Sequence, residues 1–146
     1  MSREVRLARE FGRAAVQPAG SSGWHNVSMH VRDFSEDELL GLIRPHLPRA
    51  EGIEVPSGDD CAVIGLAADS IAISTDMLVE GAHYRPEWST GYDVGWRAAM
   101  QNAADAAAMG ARPVSFVAAL SVPGDRDVEW LVEFARGMGQ AARRFG

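Results

Sequence analysis

The twelve residues from 98 to 109, AAMQNAADAAAM, include seven alanines. Alanine gives up no side-chain entropy in a helix and is its strongest former, so this stretch commits the chain to a helix. The pattern predicts one from Asp93 to Met109, with Gly110 placed as the left-handed residue just past its end. A helix faced with alanine can approach another surface closely. It therefore needs a partner layer, and it makes the polar pair within it, Asn102 and Asp105, conspicuous.

The remaining elements follow from periodicity and turn chemistry. Ser35 with Glu38 forms a capping-box pattern ahead of Leu39, Leu40 and Ile43, and Pro45 and Pro48 mark where that helix weakens. Two apolar runs, CAVIGL (61–66) and SIAISTDML (70–78), read as strands joined by a short GLAAD connection. A third, PVSFVAALSV (113–122), reads as a central strand. PGD then leads into a last helix, about Asp127 to Arg144, with Trp130, Leu131, Phe134 and Met138 at helical spacing. The order α-β-β-α-β-α predicts a two-layer α/β domain. Residues 1–33 differ: QPAGSSG breaks a short helical pattern, and the stretch reads as a flexible extension. As an Arg-rich leader it is compatible with a transit peptide, against which Glu4 and Glu10 argue.

Composition removes several functions. The net charge is −6, so neither nucleic acid nor an anionic membrane is a natural partner. All fourteen basic residues are arginine. Without lysine there is neither a Walker-type phosphate loop nor a Schiff base. A single cysteine, Cys61, allows no internal disulfide and no cysteine-rich zinc site, which points to the cytoplasm. No apolar run reaches the length of a membrane span.

What the composition leaves is carboxylates. Asp59 and Asp60 open one predicted strand, Ser74, Thr75 and Asp76 close the next, and Asp105 sits on the alanine-rich helix. Antiparallel pairing of the two strands would bring the first two groups to one edge. Oxygen ligands from several segments suit Mg²⁺ rather than zinc. Each group also has an ordinary reading: SGDD as a turn, STD as a turn or helix cap, Asp105 as a solvated helix residue, His83 as a surface or packed histidine.

Taken together, GDDCAVI, ISTDMLVEGAHY, DVGWRAAMQNAADAAAMGARP and ALSVP resemble, in order and spacing, the thiamine-monophosphate kinase family, related to aminoimidazole-ribonucleotide synthetase and selenophosphate synthetase. The resemblance covers about residues 34–146. It implies the N-terminal domain of the aminoimidazole-ribonucleotide synthetase-like fold: a mixed sheet with helices on one face, pairing with a second copy into a barrel. It also implies phosphorylation of thiamine monophosphate to thiamine diphosphate, with ATP as co-substrate. The phosphoryl group passes directly between phosphates with Mg²⁺ neutralising charge, so no catalytic side chain is implied. By motif, Asp60, Ser74, Thr75, Asp76 and Asp105 are implied as metal ligands and His83 as a contact to the substrate, in a homodimer built through the sheet. Two departures stand out. The family's usual N-L-S-D is NAAD here, with Ala104 in place of a hydroxyl. The family's G-G-D motif and second domain, which follow the equivalent of Gly146, are absent, so the chain is expected to be an ATP- and Mg²⁺-binding N-terminal part, incomplete or inactive alone. The alternative is a catalytically inactive dimerisation or binding module.

Overall fold

The computed structural model describes residues 29–49, 53–55, 63–65 and 71–145. The first helix, α1, spans Glu36–Ile43. Its start is fixed as the sequence predicts: the Glu38 N–H donates to Ser35 Oγ at 3.4 Å, and the Glu38 carboxylate accepts from the Ser35 N–H at 2.9 Å. Two of the end's unpaired donors are thereby satisfied. Past Ile43 the chain tightens into a 3₁₀ turn, Arg44–His46, where Pro45 cannot donate an α-helical hydrogen bond.

The core lies between two longer helices, α2 (Gly91–Ala108) and α3 (Val128–Ala142). Thr90 caps α2 in a second capping box, with Asp93 as its partner. At its far end Gly110 adopts φ 70°, its N–H donates to Ala107 O, and the Ala111 N–H reaches back to Ala106 O. This is the paired closure of a left-handed C-terminus. Asp127 caps α3 through the Glu129 N–H.

Val94, Ala99 and Ala103 of α2 are buried with Val128, Leu131, Val132, Phe134, Ala135 and Ala141 of α3. Glycine makes the approach possible. A Cβ on Gly91 would enter the Trp130 carbonyl, one on Gly95 the Phe134 carbonyl, and one on Gly137 the Tyr92 carbonyl. The contacts advance in step, Gly91 with Trp130 and Gly95 with Phe134, so the two helices run side by side in the same direction. The segment between them must therefore return along their length. α1 and its 3₁₀ turn pack on α3, where Gly139 lies against the His46 carbonyl. Burial first, and then Arg136 and Arg143, hold the His46 imidazole below its ordinary pKa.

Residues 29–32 attach to the turn before α3. Val31 N–H donates to Arg126 O, Arg32 N–H to Gly124 O, and Val128 N–H to Met29 O, all within 2.8–2.9 Å. Residues 1–28 of the expected flexible extension lie outside the described residues.

The expected mixed sheet with helices on one face, pairing with a second copy into a barrel, is corrected here. Among the described residues the chain is helix-rich, and its one ladder is small. Strand β1 (Ile53–Val55) pairs antiparallel with β2 (Val63–Ile64), with an irregular register. The run CAVIGL thus contributes two strand residues, but their partner is IEV at 53–55 rather than the run at 70–78. The described part of that run, 71–78, and the run at 113–122 form no ladder. Ile73, Met77 and Val117 are 85%, 74% and 98% exposed. Alternating apolar residues report fitness for a pleated, half-buried surface, but a strand exists only where a partner takes its hydrogen bonds.

Candidate functional site

Ser74, Thr75 and Asp76 lie on the exposed segment that follows Ile73, and Asp105 lies exposed near the C-terminal end of α2. Thirty-one residues apart in sequence, Ser74 and Asp105 meet: Ser74 Oγ donates to Asp105 Oδ2 at 3.4 Å, a long hydrogen bond. Asn102, grouped with Asp105 by spacing, instead donates to the Ala98 carbonyl one turn back at 3.0 Å. Asp59 and Asp60, and with them the predicted shared edge with Asp76, lie outside the described residues. Among the described residues, no group of three His, Cys, Asp or Glu side chains comes together as a metal cage. What does come together is all oxygen: the Ser74 hydroxyl and the Asp105 carboxylate, with Thr75 and Asp76 next along the chain. Donors of that kind fit a hard cation such as Mg²⁺ and not a soft one.

His83 lies in a compact turn, residues 79–84. Gly81 takes φ 82°, which a side chain would resist, and its N–H donates to Tyr84 O at 2.8 Å. Val79 and His83 are tied twice. The His83 N–H donates to Val79 O at 2.8 Å, and the Val79 N–H donates to His83 Nδ1 at 3.0 Å. A neutral imidazole that accepts at Nδ1 carries its proton at Nε2.

Both long helices brace this turn. From α2, Arg97 donates to the His83 carbonyl at 2.6 Å. From the α3 side, Arg126 pairs with Glu80, and its guanidinium lies 5.4 Å from the centre of the Trp130 ring. Tyr84 stacks on the same indole, ring centres 6.2 Å apart. Burial, and then the Glu80 carboxylate, raise the Tyr84 phenol above its ordinary pKa. It therefore stays neutral, as a packed aromatic should. Sequence reading found His83 but not Arg97, Glu80 or Arg126. No local motif links positions 14 and 46 residues apart, and an arginine on a helix surface looks like solvation.

The sequence itself matches one family. The chain belongs to the AIR synthase related proteins through their N-terminal domain, whose family model matches residues 58–146. Within it, the chain resembles thiamine-monophosphate kinases. It is 43% identical over 117 residues to that of Corynebacterium glutamicum, covering 79% of this chain and 34% of the relative. It is 33% identical over 116 residues to that of Synechococcus elongatus, with the same coverage of 79% and 34%. It is 40% identical over 84 residues to that of Escherichia coli, covering 57% of this chain and 25% of the relative. The chain thus spans about a third or less of the length of these relatives. No helix among the described residues is long and apolar enough to cross a membrane.

Proposed function

We propose that this chain is the N-terminal part of a cytoplasmic kinase that transfers a phosphoryl group from ATP to thiamine monophosphate, giving thiamine diphosphate. The observation that carries the reading is the Ser74–Asp105 contact. It joins the STD segment to the alanine-rich helix, the two motifs that the resemblance assigns to metal. Ser74, Thr75, Asp76 and Asp105 would hold Mg²⁺, with Asp60 as a further ligand from its own motif. Mg²⁺ would supply charge neutralisation for the polyphosphate, the main requirement of phosphoryl transfer. The chain's own residues orient the reactants. His83 offers Nε2–H from a braced turn to the acceptor phosphate ester, and the phosphate oxygen itself attacks, so no nucleophilic side chain is needed.

The exposed apolar residues Ile73, Met77 and Val117 support a second role, association with another copy of the chain to form a homodimer. Sedimentation of the purified chain at several concentrations tests it. A species that stays monomeric throughout rejects the dimer.

The test of the site is calorimetric titration with a non-hydrolysable ATP analogue, with and without Mg²⁺, in the unaltered chain and in Asp105→Asn and Asp76→Asn. Binding should require Mg²⁺ and weaken by at least about tenfold in each variant, the scale of one charge-assisted contact. Binding that ignores Mg²⁺, or that survives both substitutions, rejects this site.

A further inference from the structure

The turn at 79–84 is held more firmly than a surface loop of its size requires. Its interior is already closed by three backbone hydrogen bonds, from Gly81, Ala82 and His83. Two guanidinium groups, one on α2 and one in the turn before α3, add to this. Arg126 pairs with Glu80 at the start of the turn, and Arg97 donates to the carbonyl of His83 near its end. Arg97 is exposed on α2 and makes no other hydrogen bond or ion pair among the described residues. The one group it reaches belongs to the residue whose ring is already fixed. His83 Nδ1 is occupied by the Val79 N–H, and Nε2 meets no partner among the described residues.

We infer that Arg97 is a positioning residue for His83: by holding the His83 carbonyl it keeps the ring against the Val79 N–H, so that Nε2–H is the donor offered to a phosphate ester. The inference rests on the reading of His83 as the substrate contact, and extends it to a residue that touches no substrate. The physical logic is tautomeric. An imidazole free to rotate divides its proton between two nitrogens and can present a lone pair, which repels phosphate oxygen. An imidazole locked through Nδ1 presents a proton every time. A guanidinium suits the task because it keeps its charge at all working pH values and can donate to a carbonyl without being titrated away. The Glu80–Arg126 pair fixes the other end of the same turn, so a twist at Val79 cannot release the ring.

The experiment is long-range ¹H–¹⁵N NMR of the histidine rings in the full chain at alkaline pH, followed by titration with thiamine monophosphate. In the unaltered chain, His83 should show an unprotonated Nδ1 resonance and a protonated Nε2 resonance. In Arg97→Met the two should move toward the tautomer average while the melting temperature stays unchanged, because Arg97 is exposed. Arg97→Lys, which keeps a donor, should restore most of the separation. Thiamine monophosphate should bind about tenfold more weakly to the Met variant, the scale of one hydrogen bond to a charged group. An Nδ1–H tautomer in the unaltered chain overturns the inference without recourse to any variant, as does an unchanged ring pattern in a folded Arg97→Met. If the ring behaves as described but the unaltered chain does not bind thiamine monophosphate, the positioning stands and the substrate reading falls.

Discussion

The α2–α3 pair and the two apolar segments at 71–79 and 111–122 have similar hydrophobic content and opposite fates. In the helices, Val94, Ala99, Val128 and Phe134 are buried against one another. In the segments, Ile73, Met77 and Val117 face solvent. The difference lies in where the backbone finds its hydrogen bonds. A helix closes its own and needs a neighbour only for its apolar stripe, so one parallel partner completes the structure. An extended segment needs a partner for its backbone before its side chains can form a surface. The segment from Ala111 to Val122 has the second task of returning the chain from the end of α2 to the start of α3. Eighteen helical residues rise about 27 Å, and twelve extended ones can span about 40 Å, so an extended connection does this easily.

The largest effect is expected where the helices touch. In Gly95→Ala the new methyl group enters the Phe134 carbonyl. Alanine gains at most about 1 kcal/mol of helix propensity over glycine, whereas overpacking against backbone costs about 3 kcal/mol or more, since backbone cannot rotate away as a side chain can. Urea denaturation should therefore show a clear net loss of stability. Gly41→Ala, where a Cβ meets nothing within 4 Å, should be neutral or stabilising. Equal responses at the two glycines would show that the close approach of α2 and α3 is not what stabilises the pair.

A smaller effect is expected at the start of α2. Thr90→Ala removes the cap that receives the Asp93 N–H, at a cost of about 1 kcal/mol. Hydrogen bonds from the Thr90 hydroxyl and backbone hold the Asp93 carboxyl below its ordinary pKa. The sign follows from linkage. A carboxylate depressed in the folded state contributes stability above its unfolded pKa, and loses it as pH falls through the lower folded value. The stability difference between the unaltered chain and Asp93→Asn should thus be full at neutral pH and shrink in acid below about pH 4. A difference that is constant from neutral pH into acid would mean that the ionised carboxylate plays no part in the cap.

The same contrast explains what the sequence discloses. Ser35, Gly110 and Asp127 mark helix ends through bonds spanning a few residues, so all three helices are legible, and the bounds expected for α2 and α3 fall within two residues of those observed. Thr90 and Gly91 start α2 earlier than the alanine run alone suggests, and the close approach expected of the alanines is made at Gly91 and Gly95. The mixed sheet was not legible, because alternation at Ile71, Ile73 and at Val117 is a statement about side chains, and pairing is a property of two segments. The candidate site divides in the same way. Ser74, Asp105 and His83 stand in recognisable motifs. Arg97 and the Glu80–Arg126 pair act across the fold, and only the folded chain brings them to the turn they brace.

The smallest effect is expected in the exposed apolar segments. Ile73→Thr and Val117→Thr alter residues that contribute little to the core, so each should shift folding stability by less than about 0.5 kcal/mol, against the several expected at Gly95. Threonine keeps the β-branched shape and the same backbone preference, so only the apolar surface changes. If that surface is used for association, the double variant should remain monomeric at concentrations where the unaltered chain self-associates, with an unchanged denaturation midpoint. Sedimentation and denaturation on the same samples read the two quantities separately. A large loss of stability in the dilute, monomeric protein would show that these segments are structural in the single chain, and would erase the distinction between them and the helices. A loss that appears only at high concentration would assign it to assembly, because binding stabilises a fold increasingly as the partner's concentration rises above its Kd.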